Sequence, residues 1–155
     1  MKNLSIQISN FINEDLALIN PKINGVVLLE ILKYKILNKL KIDGLNIPIE
    51  ISQEMVEEIN LDNSDFNLTA NIKNYNSNNT NIRSKNEANL LLICIKGGIT
   101  IDLKDCKTTK NFNYKFVPMT GIVLPTSSDF SIINQKNSII LEISSVDENS
   151  NVEKN

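Results

Sequence analysis

The sequence predicts an α+β domain in which an antiparallel, strongly bent β-sheet wraps around one principal helix near the N-terminus. Residues 26–40 carry apolar side chains at helical spacing, whereas most later segments are short apolar or alternating runs separated by turn residues. A chain of 155 residues is long enough for one domain with its own core. We therefore assign residues 1–145 to a single domain and residues 146–155, which are polar and aperiodic, to a disordered tail.

The N-terminal segment, residues 3–11, alternates apolar and polar side chains. Leu4, Ile6 and Ile8 would share one side of an extended chain, and this alternation predicts a strand. Residues 19–25 contain Asn, Pro and Gly in close succession, which predicts a turn before the next element.

Residues 26–40 form the long helix that we predict. The side-chain oxygen of Asn24 can accept a free N–H of its first turn, which makes Asn24 the predicted cap. Besides the main apolar stripe, Val27, Ile31 and Tyr34 form a second strip on the opposite side. A helix that is apolar on two faces needs cover on both, so we expect a curved sheet to cradle it.

The rest of the chain predicts mostly strands. Residues 41–51 are predicted to form a strand, residues 52–59 a short acidic helix, and residues 66–73 a half-buried strand, followed by a polar loop at residues 74–86.

Two apolar segments, residues 88–96 and 99–103, are joined by Gly97 and Gly98. Because glycine readily adopts positive φ angles, this pair predicts a hairpin. Further strands are predicted at residues 112–117, 120–124, 130–133 and 138–144.

The inventory of reactive side chains argues against catalysis. The chain contains no histidine, which removes the commonest general base and the commonest metal ligand. Cys94 lies in an apolar run and is predicted to be buried, and Cys106 lies in a polar one; we expect both thiols to be reduced. The sequence lacks a phosphate-binding glycine loop and a calcium loop. We therefore expect a protein that is not an enzyme and that uses no metal and no cofactor.

Charge and hydropathy bound the partners and the location. A net charge of −2 argues against nucleic-acid binding, which needs a basic surface. No apolar run approaches the ~20 residues needed to span a bilayer. The N-terminus lacks the continuous apolar segment of a secretory signal, so we expect synthesis in the cytoplasm and any secretion by a route that the N-terminus does not encode.

Two binding hypotheses remain. In the first, strands around the helix leave an apolar cavity in which Leu28, Leu32 and Ile36 contact a lipid, while Lys33 and Lys39 meet an anionic headgroup. The plainer alternative for these residues is an ordinary core helix with a solvated lysine edge. In the second hypothesis the protein is a subunit of a complex that pairs through an exposed sheet edge or through the Asn-rich loop.

The order of the first elements resembles that of one protein family. Residues 4–8 (LSIQI), the Asn/Pro turn and the start of the helix in residues 19–29 (INPKINGVVLL) are similar to the smallest OrfX-type proteins encoded beside botulinum neurotoxin genes. The resemblance implies a tubular lipid-binding (TULIP-like) fold, binding of a phosphoinositide or other lipid, and association with other OrfX and P47 proteins. It implies a non-enzymatic accessory protein of a toxin gene cluster. The alternative is a cupin-like β-barrel that binds or converts a small molecule.

Overall fold

The computed structural model describes residues 2–45, 47, 55–62, 65–75, 80–85, 88–104, 111–126, 128–134 and 137–146. Within these residues the chain forms two helices followed by nine strands. The helices are α1 (Lys2–Leu16) and α2 (Gly25–Asp43), and the strands are β1 (Met55–Ile59), β2 (Leu68–Tyr75), β3 (Thr80–Lys85), β4 (Asn89–Lys96), β5 (Ile99–Lys104), β6 (Asn111–Phe116), β7 (Thr120–Leu124), β8 (Asp129–Asn134) and β9 (Ser138–Ser145).

The strands form two antiparallel sheets. The first sheet has the order β1-β2-β9-β4-β7 and the second has the order β3-β8-β5-β6. Apart from the β5–β6 pair, successive strands from β2 onward lie in opposite sheets, which is the arrangement of an eight-stranded jelly roll. Strand β1 adds a fifth strand to the edge of the first sheet by pairing with β2.

Both helices pack on the outer face of the first sheet. The cap at Asn24 is confirmed, because its Oδ1 atom accepts a 2.9 Å hydrogen bond from the N–H of Val26. Helix α2 ends where Gly44, at a φ of +71°, donates its N–H to the carbonyl of Leu40. The helix–sheet core contains Leu4, Ile8, Ile12 and Leu16 of α1, Leu28, Leu29, Leu32, Ile36 and Leu40 of α2, and Ile72, Leu91, Ile93, Leu141 and Ile143 of the sheet.

A second core fills the space between the two sheets. This inter-sheet core contains Leu90, Leu92, Cys94, Leu124 and Ile140 of the first sheet and Ile99, Ile101, Phe116, Phe130 and Ile132 of the second. Strand β4 contributes to both cores, which explains why its sequence is apolar without alternation. The predicted burial of Cys94 is confirmed.

The predicted first strand is wrong, because residues 3–11 belong to helix α1. Leu4, Ile8 and Ile12 recur every four residues and are buried against the first sheet, whereas Ile6 is 54% exposed. The alternation and the helical spacing coexist in this segment, and packing on the sheet selects the helical one.

Three other assignments also change. Residues 55–59 form strand β1 instead of a short helix, and the predicted strand at residues 41–51 begins inside α2, which continues to Asp43. Strand β3 lies inside the segment predicted as a loop. Residues 46, 48–54 and 76–79 lie outside the described residues. The strands predicted over residues 66–73 and after residue 111 are confirmed.

The predicted hairpin at Gly97 and Gly98 is wrong, because β4 and β5 belong to different sheets. The pair instead carries the chain from the first sheet to the second. Gly97 has a φ of +83°, and a side chain there would overlap the carbonyl oxygen of Asn137. The Oγ atom of Ser138 accepts the N–H of Gly98 and donates to its carbonyl, each at 3.0 Å, which fixes the crossing.

The expected wrapping of the sheet around the helix is not seen. Helix α2 lies on the outside of the first sheet, and its outer face leaves Val27 47% and Tyr34 69% exposed. The α+β class and the antiparallel pairing are as expected. The boundary at residue 145 and the disordered tail stay predictions, since residues 147–155 lie outside the described residues.

Candidate functional site

The apolar residues predicted to contact lipid lie in the helix–sheet core. Leu28, Leu32 and Ile36 are each at most 3% exposed, and their side chains pack against the first sheet. Within the described ranges, no helix is both long and apolar enough to cross a bilayer. In the fold, this apolar stripe holds α2 on the first sheet.

The two predicted lysines both meet carboxylates of the protein. The Nζ atom of Lys33 lies 2.8 Å from Glu30, one turn earlier in the same helix. The Nζ atom of Lys39 lies 2.9 Å from Asp15 and 3.2 Å from Glu14, and it therefore joins α2 to α1.

The pKa of Lys39 reflects this environment. Burial of the ammonium lowers the pKa, but the hydrogen bonds and charges of Asp15 and Glu14 outweigh burial, so the pKa of Lys39 lies above its usual 10.5. The second carboxylate oxygen of Asp15, Oδ2, is buried without a hydrogen-bond partner. Lys39 is therefore a charged clamp between the two helices.

A different set of polar side chains lies on the face of the first sheet that is turned toward the second sheet, here called the inner face. In antiparallel pairs, residues directly opposite each other share a face. One such row crosses the whole sheet, from β1 to β7, through Glu58, Asn71, Glu142, Leu92 and Ile122. The row is polar on β1, β2 and β9 and apolar on β4 and β7.

The two neighbouring rows differ from each other: the first is polar only at Lys73 of β2 and Thr120 of β7, whereas the second is polar on β2 and β9 and apolar on β4 and β7. The first row contains Val56, Lys73, Ile140, Cys94 and Thr120, and the second contains Thr69, Ser144, Leu90 and Leu124. The polar residues of β2 and β9 in these rows form what we call the polar inner face: Thr69, Asn71, Lys73, Glu142 and Ser144. It borders the inter-sheet core at Ile140 and Leu92.

An ion pair occupies the centre of the polar inner face. The Nζ atom of Lys73 lies 2.9 Å from Oε2 of Glu142, and the two side chains are 28% and 21% exposed. Inner faces of packed sheets are ordinarily apolar, because the side chains of the two sheets interdigitate there. A partly exposed ion pair at this position therefore indicates that solvent reaches the inner face beside the core.

The polar inner face also contains hydrogen-bond donors and acceptors that could bind a ligand. Asn71 lies directly opposite Glu142 and is partly buried, yet its side-chain amide makes no hydrogen bond within the described part of the chain. The hydroxyls of Thr69 and Ser144 contact each other at 2.5 Å. Ammonium, carboxylate, amide and hydroxyl groups thus lie side by side, which suits the recognition of a polar molecule.

The inter-sheet space is also open at the opposite edge. Phe112 and Tyr114 of β6 pair with Leu103 and Ile101, which places both aromatic rings on the inner side of the second sheet. They remain 45% and 41% exposed, although Ile101 is fully buried. The second sheet therefore ends in an aromatic edge that its neighbours do not cover.

Comparison with known proteins identifies the fold. No protein-family model matches the sequence, and no curated protein matches it. The structure is similar to a cupin superfamily protein from Desulfitobacterium hafniense, with a TM-score of 0.51 and 16% identity over 65% of this chain and 84% of that chain.

Two enzymes named among the similar structures point to the same fold. A variant of oxalate decarboxylase from Bacillus subtilis gives a TM-score of 0.53 and 13% identity over 64% of this chain and 27% of that chain. A cobalt(II) complex of HppE gives a TM-score of 0.50 and 8% identity over 64% of this chain and 57% of that chain. At such identities the likeness shows a cupin-type fold, and neither activity is carried over.

These findings correct the resemblance to OrfX-type proteins. The segment that suggested an early strand is helix α1, and the sheets form a jelly roll instead of a TULIP-like wrap. The lipid-binding accessory function that followed from the resemblance is therefore wrong. The cupin-like fold of the similar structures instead favours the alternative, a barrel that binds or converts a small molecule.

A metal, which this fold carries in the cobalt complex of HppE, does not fit the residues described here. The chain has no histidine, and the described residues contain no group of three or more Cys, Asp or Glu side chains that could hold a metal ion. Cys94 points into the apolar inter-sheet core, and its thiol donates to the carbonyl of Lys96. Glu142, on the inner face, is paired with Lys73.

Sequence reasoning missed the polar inner face. Lys73 belongs to an alternating strand whose polar side was taken as solvated, and Glu142 is the one charged residue in the apolar strand β9. A lone charge inside an apolar strand is the signal that could have found the site, because a charge at a buried position needs a partner.

Proposed function

We propose that this chain is a non-catalytic binding protein of cupin-type fold, and that it holds a small polar molecule against the polar inner face. The observation that carries the proposal is the partly exposed ion pair of Lys73 and Glu142 on the inner side of a sheet. Ligand sites commonly combine an apolar wall with a few placed polar groups. Here the inter-sheet core supplies the wall beside those groups.

We expect this ion pair to contribute little to the stability of the fold. A partly exposed ion pair contributes only about 0–1 kcal/mol, and an apolar pair at the same positions would extend the inter-sheet core. Charged groups that do little for folding, in a space that solvent reaches, are better explained by a ligand. Binding rather than catalysis is favoured because the chain has no histidine and offers no base beside a nucleophile among the described inner-face residues.

A thermal-shift screen against a library of small polar molecules tests the proposal. A ligand at about 100 times its Kd stabilises the folded state by about 2.7 kcal/mol, which for a chain of this size corresponds to roughly 5–11 °C in Tm. We expect at least one compound to give such a shift, and Lys73→Met and Glu142→Gln to abolish it.

Two matched controls lie away from the inner face. Glu57→Gln changes the neighbouring position of β1, which faces the helix side, and Lys115→Met changes an exposed lysine of β6. Both variants should keep the full shift. A ligand that stabilises the Lys73→Met and Glu142→Gln variants as strongly as the unchanged protein would place the site elsewhere and contradict the proposal.

A further inference from the structure

We infer that the molecule held at the polar inner face is a zwitterion of the α-amino-acid class; this inference rests on the proposed function. Lys73 and Glu142 present one positive and one negative group with 2.9 Å between the nearest atoms, partly exposed on the same face. The ammonium and carboxylate of an α-amino acid are carried by one carbon and lie about as close together.

A zwitterion can bind without breaking the protein's ion pair. Its carboxylate can approach the free N–H groups of Lys73, and its ammonium can approach the carboxylate of Glu142, so that the four charges alternate in sign around a square. Each ligand group then forms a charge-assisted hydrogen bond, which is roughly twice as strong as a neutral one.

Other ligand classes gain less at this site. A simple anion that approaches Lys73 is repelled by Glu142, and a simple cation that approaches Glu142 is repelled by Lys73, because the two protein charges are adjacent. A neutral polyol avoids this repulsion but presents no charge to either group. Only a ligand with both charges gains from both partners.

Two neighbouring residues complete the arrangement. The amide of Asn71, directly opposite Glu142, can donate to the ligand carboxylate and accept from its ammonium. Glu58, exposed on β1 and directly opposite Asn71, adds a second negative charge on that side. The ammonium is therefore expected to lie toward β1, between Glu142 and Glu58.

Isothermal titration calorimetry with matched probes tests the inference. The probes are the free amino acids and, for the tightest of them, its N-acetyl derivative, which lacks the ammonium, and its amide, which lacks the carboxylate. A set of neutral monosaccharides and polyols represents the uncharged class. We expect a free amino acid to bind, and each of its two derivatives to bind at least about tenfold more weakly.

The variants assign each ligand charge to its protein partner. Lys73→Met should weaken binding of the free amino acid at least about tenfold but should not weaken binding of its amide, because the amide has no carboxylate to lose a partner and, as a cation, is no longer repelled by Lys73. Glu142→Gln should weaken binding of the free amino acid at least about tenfold. It should not weaken binding of the N-acetyl derivative, because that derivative has no ammonium to lose a partner. Glu57→Gln and Lys115→Met should leave all three affinities unchanged.

The outcomes separate this inference from the proposed function. A polyol that binds and depends on Glu142, in the absence of amino-acid binding, overturns the zwitterion and leaves a small-molecule site in place. Equal loss for the free amino acid and its amide in Lys73→Met overturns the pairing of Lys73 with the carboxylate. If no amino-acid probe and no uncharged probe binds, and no compound of the library raises the Tm, the zwitterion and the proposed function are both overturned.

Discussion

Leu91 and Leu92 are adjacent on β4, yet they fill different cores. Leu91 packs in the helix–sheet core and Leu92 packs in the inter-sheet core, and both side chains are fully buried. Replacing either with alanine removes the same atoms from opposite faces of one strand. The losses in unfolding free energy of the two variants therefore compare how tightly the two cores are packed, at nearly the same backbone position.

The expected cost follows from the burial. A buried leucine replaced by alanine destabilises a protein by about 2–5 kcal/mol, through lost transfer energy and the cavity that remains. A central value of about 3 kcal/mol corresponds to a fall in Tm of roughly 6–12 °C for a chain of this size. We expect Leu91→Ala and Leu92→Ala to lose comparable amounts, because neither side chain has solvent on any side.

Urea unfolding followed by circular dichroism measures both free energies. Ile6→Ala serves as the control, since Ile6 is an exposed apolar residue of α1 and should change the free energy of unfolding by less than about 0.5 kcal/mol. A loss below about 1 kcal/mol for Leu92→Ala, beside a loss of about 3 kcal/mol for Leu91→Ala, would contradict a packed inter-sheet core. It would mean that the space between the sheets is loosely filled where we describe a packed core.

Three other predictions concern single features of the fold. Lys39→Met should destabilise the protein by about 1–3 kcal/mol, because it leaves the buried carboxylate of Asp15 without its cation. Since folding raises the pKa of Lys39, its stabilising contribution is complete below pH 10.5 and is lost as the pH rises through the folded pKa. The difference in Tm between the unchanged protein and the Lys39→Met variant should therefore become smaller in alkaline buffer. A difference that grows there would contradict a stabilising role for the charge of Lys39. Gly97→Ala should cost more stability in urea unfolding than Gly44→Ala, because both have positive φ but only Gly97 lacks room for a side chain; equal costs would contradict the tight crossing. Inductively coupled plasma mass spectrometry should find less than about 0.1 transition-metal ion per purified chain. One metal ion per chain would contradict the conclusion that the described residues do not fit a metal.

The sequence was most informative where one periodicity stands alone. Helix α2 has a cap at Asn24 and an unbroken apolar stripe, and its predicted bounds agree with the structure within a few residues. Helix α1 was misassigned because Leu4 and Ile8 fit a helix and a strand equally well when Ile6 is also apolar. Which spacing is used depends on the sheet that the segment packs against, and the sheet is built from residues much later in the chain.

The crossing between the two sheets could not be predicted from the local sequence either. A glycine pair between two apolar segments is compatible with a hairpin and with a crossing between sheets, and Gly97 with Gly98 makes the crossing. The continuous apolar run of β4 held the better information, because a strand that is apolar on both sides must be covered on both sides.

The candidate site could not be found from local pattern. Lys73 and Glu142 meet only because β2 and β9 are neighbours in the first sheet, although the two strands lie about 70 residues apart in the sequence. The alternation of β2 was predicted correctly, but its polar side was assigned to solvent. The second sheet turns that side into an inner face, and this places the polar residues of β2 and β9 beside the inter-sheet core.

The most direct test of the account is a methyl NMR spectrum recorded with and without a mixture of free amino acids and monosaccharides. Strand β9 supplies its own control, because Ile140 lies on the inner face while Leu141 and Ile143 lie in the helix–sheet core. We predict that the ligand shifts the methyl signals of Ile140 and its neighbour Leu92 and leaves those of Leu141 and Ile143 in place. Shifts confined to Leu141 and Ile143, or no shift at any of the four, would contradict a ligand site on the polar inner face.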